Sequence, residues 1–255
     1  MKKLVLAAMM ATTPVIAQAV VIEGSFSGSI HDSYDYNNIF GYGAGHDQGV
    51  GQTITGTFRY DTGLAPQDRN GHSRVGHYAT YGNDAEWLRL TFNINGNDFN
   101  ISSNGIQSRY DGYDLQQVYL RDDIYNQDVF GIYERDYDHA FTYGGGFTNE
   151  FYGTYGNAWV ADSLNDIVDG DGLIQSFEWL NDNITAYGSA FLSWQEKEYV
   201  AGKGFTYYES AWMGVVLKEM TVIVNPTDIP DPQNMGLMGL GLIGMIMLRR
   251  RQQQK

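Results

Sequence analysis

The stretch TITGTFRYD, residues 53–61, alternates strictly: Ile54, Gly56, Phe58 and Tyr60 fall on one side of an extended chain, and Thr53, Thr55, Thr57 and Arg59 on the other. Successive side chains of a strand point to opposite faces, so a period of two dictates one dry and one wet face. WLRLTFNING repeats the pattern with Leu88, Leu90, Phe92 and Ile94 inward, and Asn95-Gly96 then supplies a tight hairpin turn into NDFNIS. LQQVYLRDD, DVFGIYE, AYGSAFLSWQEKEY and WMGVVLKEMTVIV continue it. Helical spacing lasts no more than about two turns anywhere in the body, its best candidate being LIQSFEWLND. The chain is expected to be all-β.

Antiparallel strands with one dry face bury it by packing sheet on sheet, which predicts a β-sandwich. Long irregular stretches such as DTGLAPQDRNGHSRVGHYATYGND favour a jelly-roll-like order over an up-and-down barrel. No repeat of fixed period and no proline-rich linker interrupts the chain before VNPTDIPDPQ, so one domain over residues 20–225 is expected.

The two ends differ from the body. Lys2 and Lys3 precede an apolar stretch from Leu4 to Ala11, too short to span a bilayer, and Ala17-Gln18-Ala19 has the small residues of a cleavage site. Together they predict a secretory signal over residues 1–19, with the mature chain beginning near Val20. At the other end, Met235 to Leu248 are 14 uncharged residues that include Gly236, Gly239, Gly241 and Gly244, and Arg249, Arg250 and Arg251 follow. As a helix, this stretch would rise about 21 Å, short of the roughly 30 Å hydrocarbon core. The arginines would stay on the cytoplasmic side and leave the body outside, in agreement with the leader.

Pro230-Asp231-Pro232 followed by MGLMGLGLIGMIMLRRR, within residues 226–255, resembles the PEP-CTERM sorting signal of exported bacterial proteins, with Asp231 where that family has Glu. The resemblance implies a Gram-negative host, transient inner-membrane insertion through the short hydrophobic helix, and processing by an exosortase-type membrane enzyme. It further implies a place at the cell surface or in an extracellular polysaccharide (biofilm) matrix. It implies no enzymatic activity.

Between Leu4 and Leu248, 10 of the 16 basic residues remain against all 30 acidic ones, a net charge of −20. Such a surface repels nucleic acid and anionic lipid, and it favours solubility and divalent cations. The chain has no cysteine, which excludes thiol catalysis and thiolate metal sites.

Calcium is the cofactor the sequence suggests. In NDIVDGDGLIQSFEWL, setting Gly172 at position 6 of a calcium loop places Asp169 at 3, Asp171 at 5, the Leu173 carbonyl at 7 and Glu178 at 12. Position 1 falls on Ile167, so Asp166 joins only through a one-residue bulge; a polar turn uses the same residues. His72 and His77, five residues apart, have no third ligand nearby. Glu196 and Glu198 share one face of a strand, as a solvated edge would. No Ser-His-Asp signature, phosphate-binding loop or nucleophile elbow is present.

YGGGFTNEFYGTYGNAW places Tyr143, Phe147, Phe151, Tyr152, Tyr155 and Trp159 among glycines; these rings either fill a β-core or stack on sugars. The expectation is therefore a non-enzymatic exported surface or matrix protein. The alternative is a carbohydrate-binding module, with a row of exposed aromatics on one sheet face as its mark. A glycan-active hydrolase, the remaining alternative, requires two carboxylates about 5 to 10 Å apart in a cleft.

Overall fold

A computed structural model of the protein describes residues 19–69, 73–81, 86–101, 115–142, 148–200 and 203–224. It contains twelve strands: β1 (Val21–Asp35), β2 (Gly45–His46), β3 (Thr53–Asp61), β4 (Val75–Tyr81), β5 (Leu88–Ile94), β6 (Asn97–Ile101), β7 (Leu115–Arg121), β8 (Asp128–Thr142), β9 (Thr148–Asp162), β10 (Phe177–Leu180), β11 (Tyr187–Val200) and β12 (Gly204–Val224). No helix occurs among the described residues, so none is long and apolar enough there to cross a membrane. Residues 1–18 of the signal expected over residues 1–19, the sorting motif at Pro230, Asp231 and Pro232, the apolar tail and Arg249, Arg250 and Arg251 lie outside the described residues.

The fold is all-β and antiparallel throughout. The strands hydrogen-bond into one sheet rather than two, in the order β4-β7-β8-β9-β11-β12-β1-β3-β5-β6, with β10 beside β12 and β2 beside β1. This sheet curls until β5 and β6 lie over β8 and β9. The concave side holds the core: Ile22, Phe26 and Ile30 from β1, Ile54, Phe58 and Tyr60 from β3, and Leu88, Leu90, Phe92 and Ile94 from β5 are all buried. These are the residues the alternation places inward.

The β5–β6 hairpin turns at Asn95 (φ 51°) and Gly96 (φ 80°). Left-handed backbone at both positions is what a twist-matched two-residue turn requires, and Asn-Gly accepts it at low cost. Where the strands cross over each other, Gly156 of β9 makes room for the opposing layer: a Cβ there would collide with Ile101 of β6 and crowd Phe92 of β5.

Two local readings change. DTGLAPQDRNGHSRVGHYATYGND is not loop throughout, because Val75–Tyr81 forms edge strand β4, registered on β7 from Val75 opposite Arg121 to Tyr81 opposite Leu115. Helical spacing in LIQSFEWLND gives no helix: Phe177–Leu180 pairs with β12, and Trp179 is the side chain it buries. One buried ring in four residues is enough for a short strand and too little for a helix face.

Candidate functional site

Along β8 to β12 the alternation runs opposite to habit, with rings on the solvent side. Phe130, Ile132, Ala158, Val160, Ala190, Leu192, Met213 and Val215 point into the core, so their odd-even neighbours Tyr133, Tyr155, Trp159, Phe191 and Trp212 face outward on the convex side. All five are half-buried.

The rings form a lateral row across four strands. Tyr133 lies 4.8 Å from Tyr155, Tyr155 lies 5.4 Å from Phe191, and Phe191 stacks on Trp212 at 6.1 Å and 20°. The register explains the contacts: Tyr155 and Trp212 both stand opposite Ser193, so the rings can lean diagonally over this small residue. Beyond Trp212 the row continues in Tyr34, whose ring meets His46 at 4.7 Å, and in the exposed pair Tyr36 and Tyr208 at 6.1 Å.

At the other end of the row a depression of about 290 Å³ opens on the same face. Gly131, Tyr119, Tyr133, Trp159, Gln117 and Asn157 line it, and the Asn157 amide donates to the Tyr155 hydroxyl. Trp159 is buttressed edge-on by Tyr187 at 5.2 Å. Arg121 spans Tyr119, with its guanidinium 5.6 Å from the ring centre and donating to the phenolic oxygen at 2.7 and 3.0 Å. A shallow, largely apolar depression lined by rings, with Gln117 and Asn157 among its residues, suits a flat ligand with apolar faces and polar edges.

No family model matches the chain, and no curated protein or solved structure matches it either.

Of the rings singled out in the sequence, Tyr155 and Trp159 belong to this face. Tyr143 and Phe147 lie outside the described residues, and Phe151 and Tyr152 are placed on β9 by their backbone. Sequence reasoning did not single out Tyr119, Tyr133, Phe191 and Trp212. Their signal was the parity they share against Phe130, Ile132, Leu192 and Met213.

The four residues expected to form a calcium loop do not come together as one group among the described residues. The carbonyl of Leu173, expected at position 7, accepts the hydroxyl of buried Tyr60 at 2.7 Å and so faces the core. The carbonyl of Asp171 accepts the hydroxyl of Tyr78 at 2.8 Å. Gln175 closes the turn, accepting from the Asp169 N–H and donating to the Asp169 and Gly172 carbonyls. Glu178 stands exposed on β10 opposite Thr221. Asp166, Asp169, Asp171 and Glu178 are thus spread over a loop and a strand, and among the described residues no three Asp, Glu or His gather as a metal-binding group.

The neighbouring aspartates serve the backbone. Asp128 accepts the N–H groups of Asp123, Ile167 and Val168 through its two oxygens, and Asp162 accepts those of Leu164 and Asn165. Loop N–H groups that no strand can pair are satisfied in this way.

His77 sets its ring against Tyr119 at 6.3 Å, and His72 lies outside the described residues. Glu196 and Glu198 share the concave side of β11 with Ala190 and Leu192, beyond the core. Ala19 is exposed and directly precedes buried Val20, whose N–H donates to Thr62 Oγ1 at 2.9 Å; Ala17 lies outside the described residues.

Proposed function

We propose that the chain is an exported, non-enzymatic surface or matrix protein that holds extracellular polysaccharide across its convex aromatic face. The observation that supports this reading is the row Tyr133, Tyr155, Phe191 and Trp212, which continues through four strands on the solvent side of a rigid sheet. Sugar rings carry flat C–H faces that stack on such rings while their hydroxyls bond at the edge, and a surface row of this length has no core to fill. The leader over residues 1–19 and the PEP-CTERM-like tail over residues 226–255, with its short helix, would deliver the body and be processed by an exosortase-type enzyme. The approach of β5 and β6 onto β8 and β9 supports regarding the curl as a sandwich joined along one side.

The test is affinity electrophoresis through gels containing a panel of neutral and acidic polysaccharides. Wild-type protein is expected to be retarded by at least one of them, and Tyr133→Ala and Trp159→Ala to weaken the retardation about tenfold, the loss expected for about 1.4 kcal/mol of contact energy. Unchanged near-ultraviolet circular dichroism would show that the variants fold. Free migration of the wild type through every gel would overturn the proposal.

A further inference from the structure

We infer that the polysaccharide held by this face is anionic. The inference rests on the reading of the aromatic face as a polysaccharide surface and adds the charge of its ligand.

Acidic residues outnumber basic ones three to one between Leu4 and Leu248, yet they are absent from the described convex side chains of β7, β8, β9, β11 and β12 as far as Val216, the nearest being Asp32 of β1, opposite Gly214, and Glu219 further along β12. The acids of β8, β9 and β11 with described side chains are Asp128, Glu134, Asp136, Asp162, Glu196 and Glu198, and all six share the parity of the core residues. Cations take the other parity. Arg121 follows Tyr119 on β7, Arg135 follows Tyr133 on β8 directly opposite Tyr155, and Lys197 of β11 lies directly opposite Tyr208.

Solubility does not account for this separation, since it calls for acids on whichever surface meets water, and this surface meets water. Nor does edge protection, because the strands concerned are interior to the sheet. A ligand does account for it. Guanidinium groups present a planar fork that takes a carboxylate or sulfate through two hydrogen bonds, and rings between the cations take the sugar faces. At long range the acidic body repels a polyanion, but salt near 0.15 M confines each charge to about 8 Å, so the charges of the face govern the contact.

The experiment uses full-length protein in gels containing polygalacturonate or alginate, and in matched gels of the same polymers with their carboxylates reduced to alcohols. We expect retardation by the acidic polymers at about 0.15 M salt that weakens at about 1 M, and little by the reduced ones. The double variant Arg135→Gln, Lys197→Gln should lose about tenfold in retardation, and Arg135→Lys, Lys197→Arg should keep most of it. Equal retardation by acidic and reduced polymers, or a glutamine double variant that binds as the wild type, would overturn the anionic ligand while leaving the polysaccharide reading intact. No retardation by either form would overturn the anionic ligand, and only free migration through the whole panel of neutral and acidic polysaccharides would overturn the polysaccharide reading as well.

Discussion

Glu134 of β8 accepts the backbone N–H of Leu90 in β5 at 2.6 Å, although no strand pairing joins these two parts of the sheet. Gln116 of β7 does the same beside it, accepting the N–H groups of Trp87 and Leu88 at 2.8 and 2.9 Å. β6 pairs with β5 only from Leu90 to Ile94, so the first residues of β5 would otherwise leave buried donors without partners. Two inward polar side chains close the curl where a further strand would otherwise be needed.

Burial pushes the Glu134 carboxyl well above the usual carboxylate range; the Leu90 N–H and Arg89 pull it back, while Glu86 and Asp136 push it further up. The unfolded chain releases this proton near pH 4.3, whereas the folded chain keeps it until higher pH. Folding therefore binds the extra proton, and this group makes stability fall as pH rises above about 4.3. Glu134→Gln retains an acceptor for Leu90 and removes the titration, so its stability relative to wild type should rise between about pH 4 and pH 8 in urea melts. Glu134→Ala should cost about 1–3 kcal/mol because Leu90 loses its partner. An equal Glu134→Gln difference at both pH values would refute the assignment.

Gly156 tests the closure from the apolar side. Since a Cβ at this position would meet Ile101 and Phe92, Gly156→Ala should destabilise by about 1–3 kcal/mol through overpacking. Gly156→Ala combined with Ile101→Val should recover part of the loss. A single variant as stable as wild type, by thermal melting, would mean that the two layers are not pressed together there.

Much of this was legible in local sequence and some was not. Alternation in TITGTFRYD and WLRLTFNING named the buried residues of β3 and β5, because each strand has one core face and a turn that Asn95-Gly96 can make. β4 was hidden because Val75–Tyr81 alternates with little apolar content and is held by β7, forty residues further on. Glu134 has the parity of Phe130 and Ile132, yet a carboxylate at a core position makes sense only once Leu90 is known to need an acceptor. The aromatic face was legible only in part for the same reason: Tyr155 and Trp159 stood out, but their side of the sheet stayed open between core and surface. Tyr133 and Trp159 look like core residues until the register places them outside.

The loop from Ser163 to Ser176 is held by the hydroxyls of Tyr60 and Tyr78. Burial raises the Tyr60 hydroxyl far above its ordinary value, and the neighbouring Tyr78 adds to this, so it remains a donor across the accessible pH range. Tyr60→Phe should cost about 1–3 kcal/mol by leaving the Leu173 carbonyl unpaired. Chelator should leave the melting temperature of wild type and of Asp171→Ala unchanged. A chelator-dependent drop abolished by Asp171→Ala would restore the calcium loop.

The tail makes the last prediction. Ile22 of β1 pairs with Val224 of β12, so the leader and the tail both leave the body from one end of the sheet. The aromatic face reaches away from that end, from Trp159 to Tyr208, and would stay clear of a membrane holding the tail. Deleting Met235 to Lys255 leaves every described core residue in place, so the melting temperature of the body is expected not to change, while the protein should move from the cell envelope to the medium. Fractionation of a host that makes exosortase, with intact-mass analysis of the secreted form, measures both. Unchanged location after the deletion would sink the sorting role of Pro230-Asp231-Pro232 and the arginines.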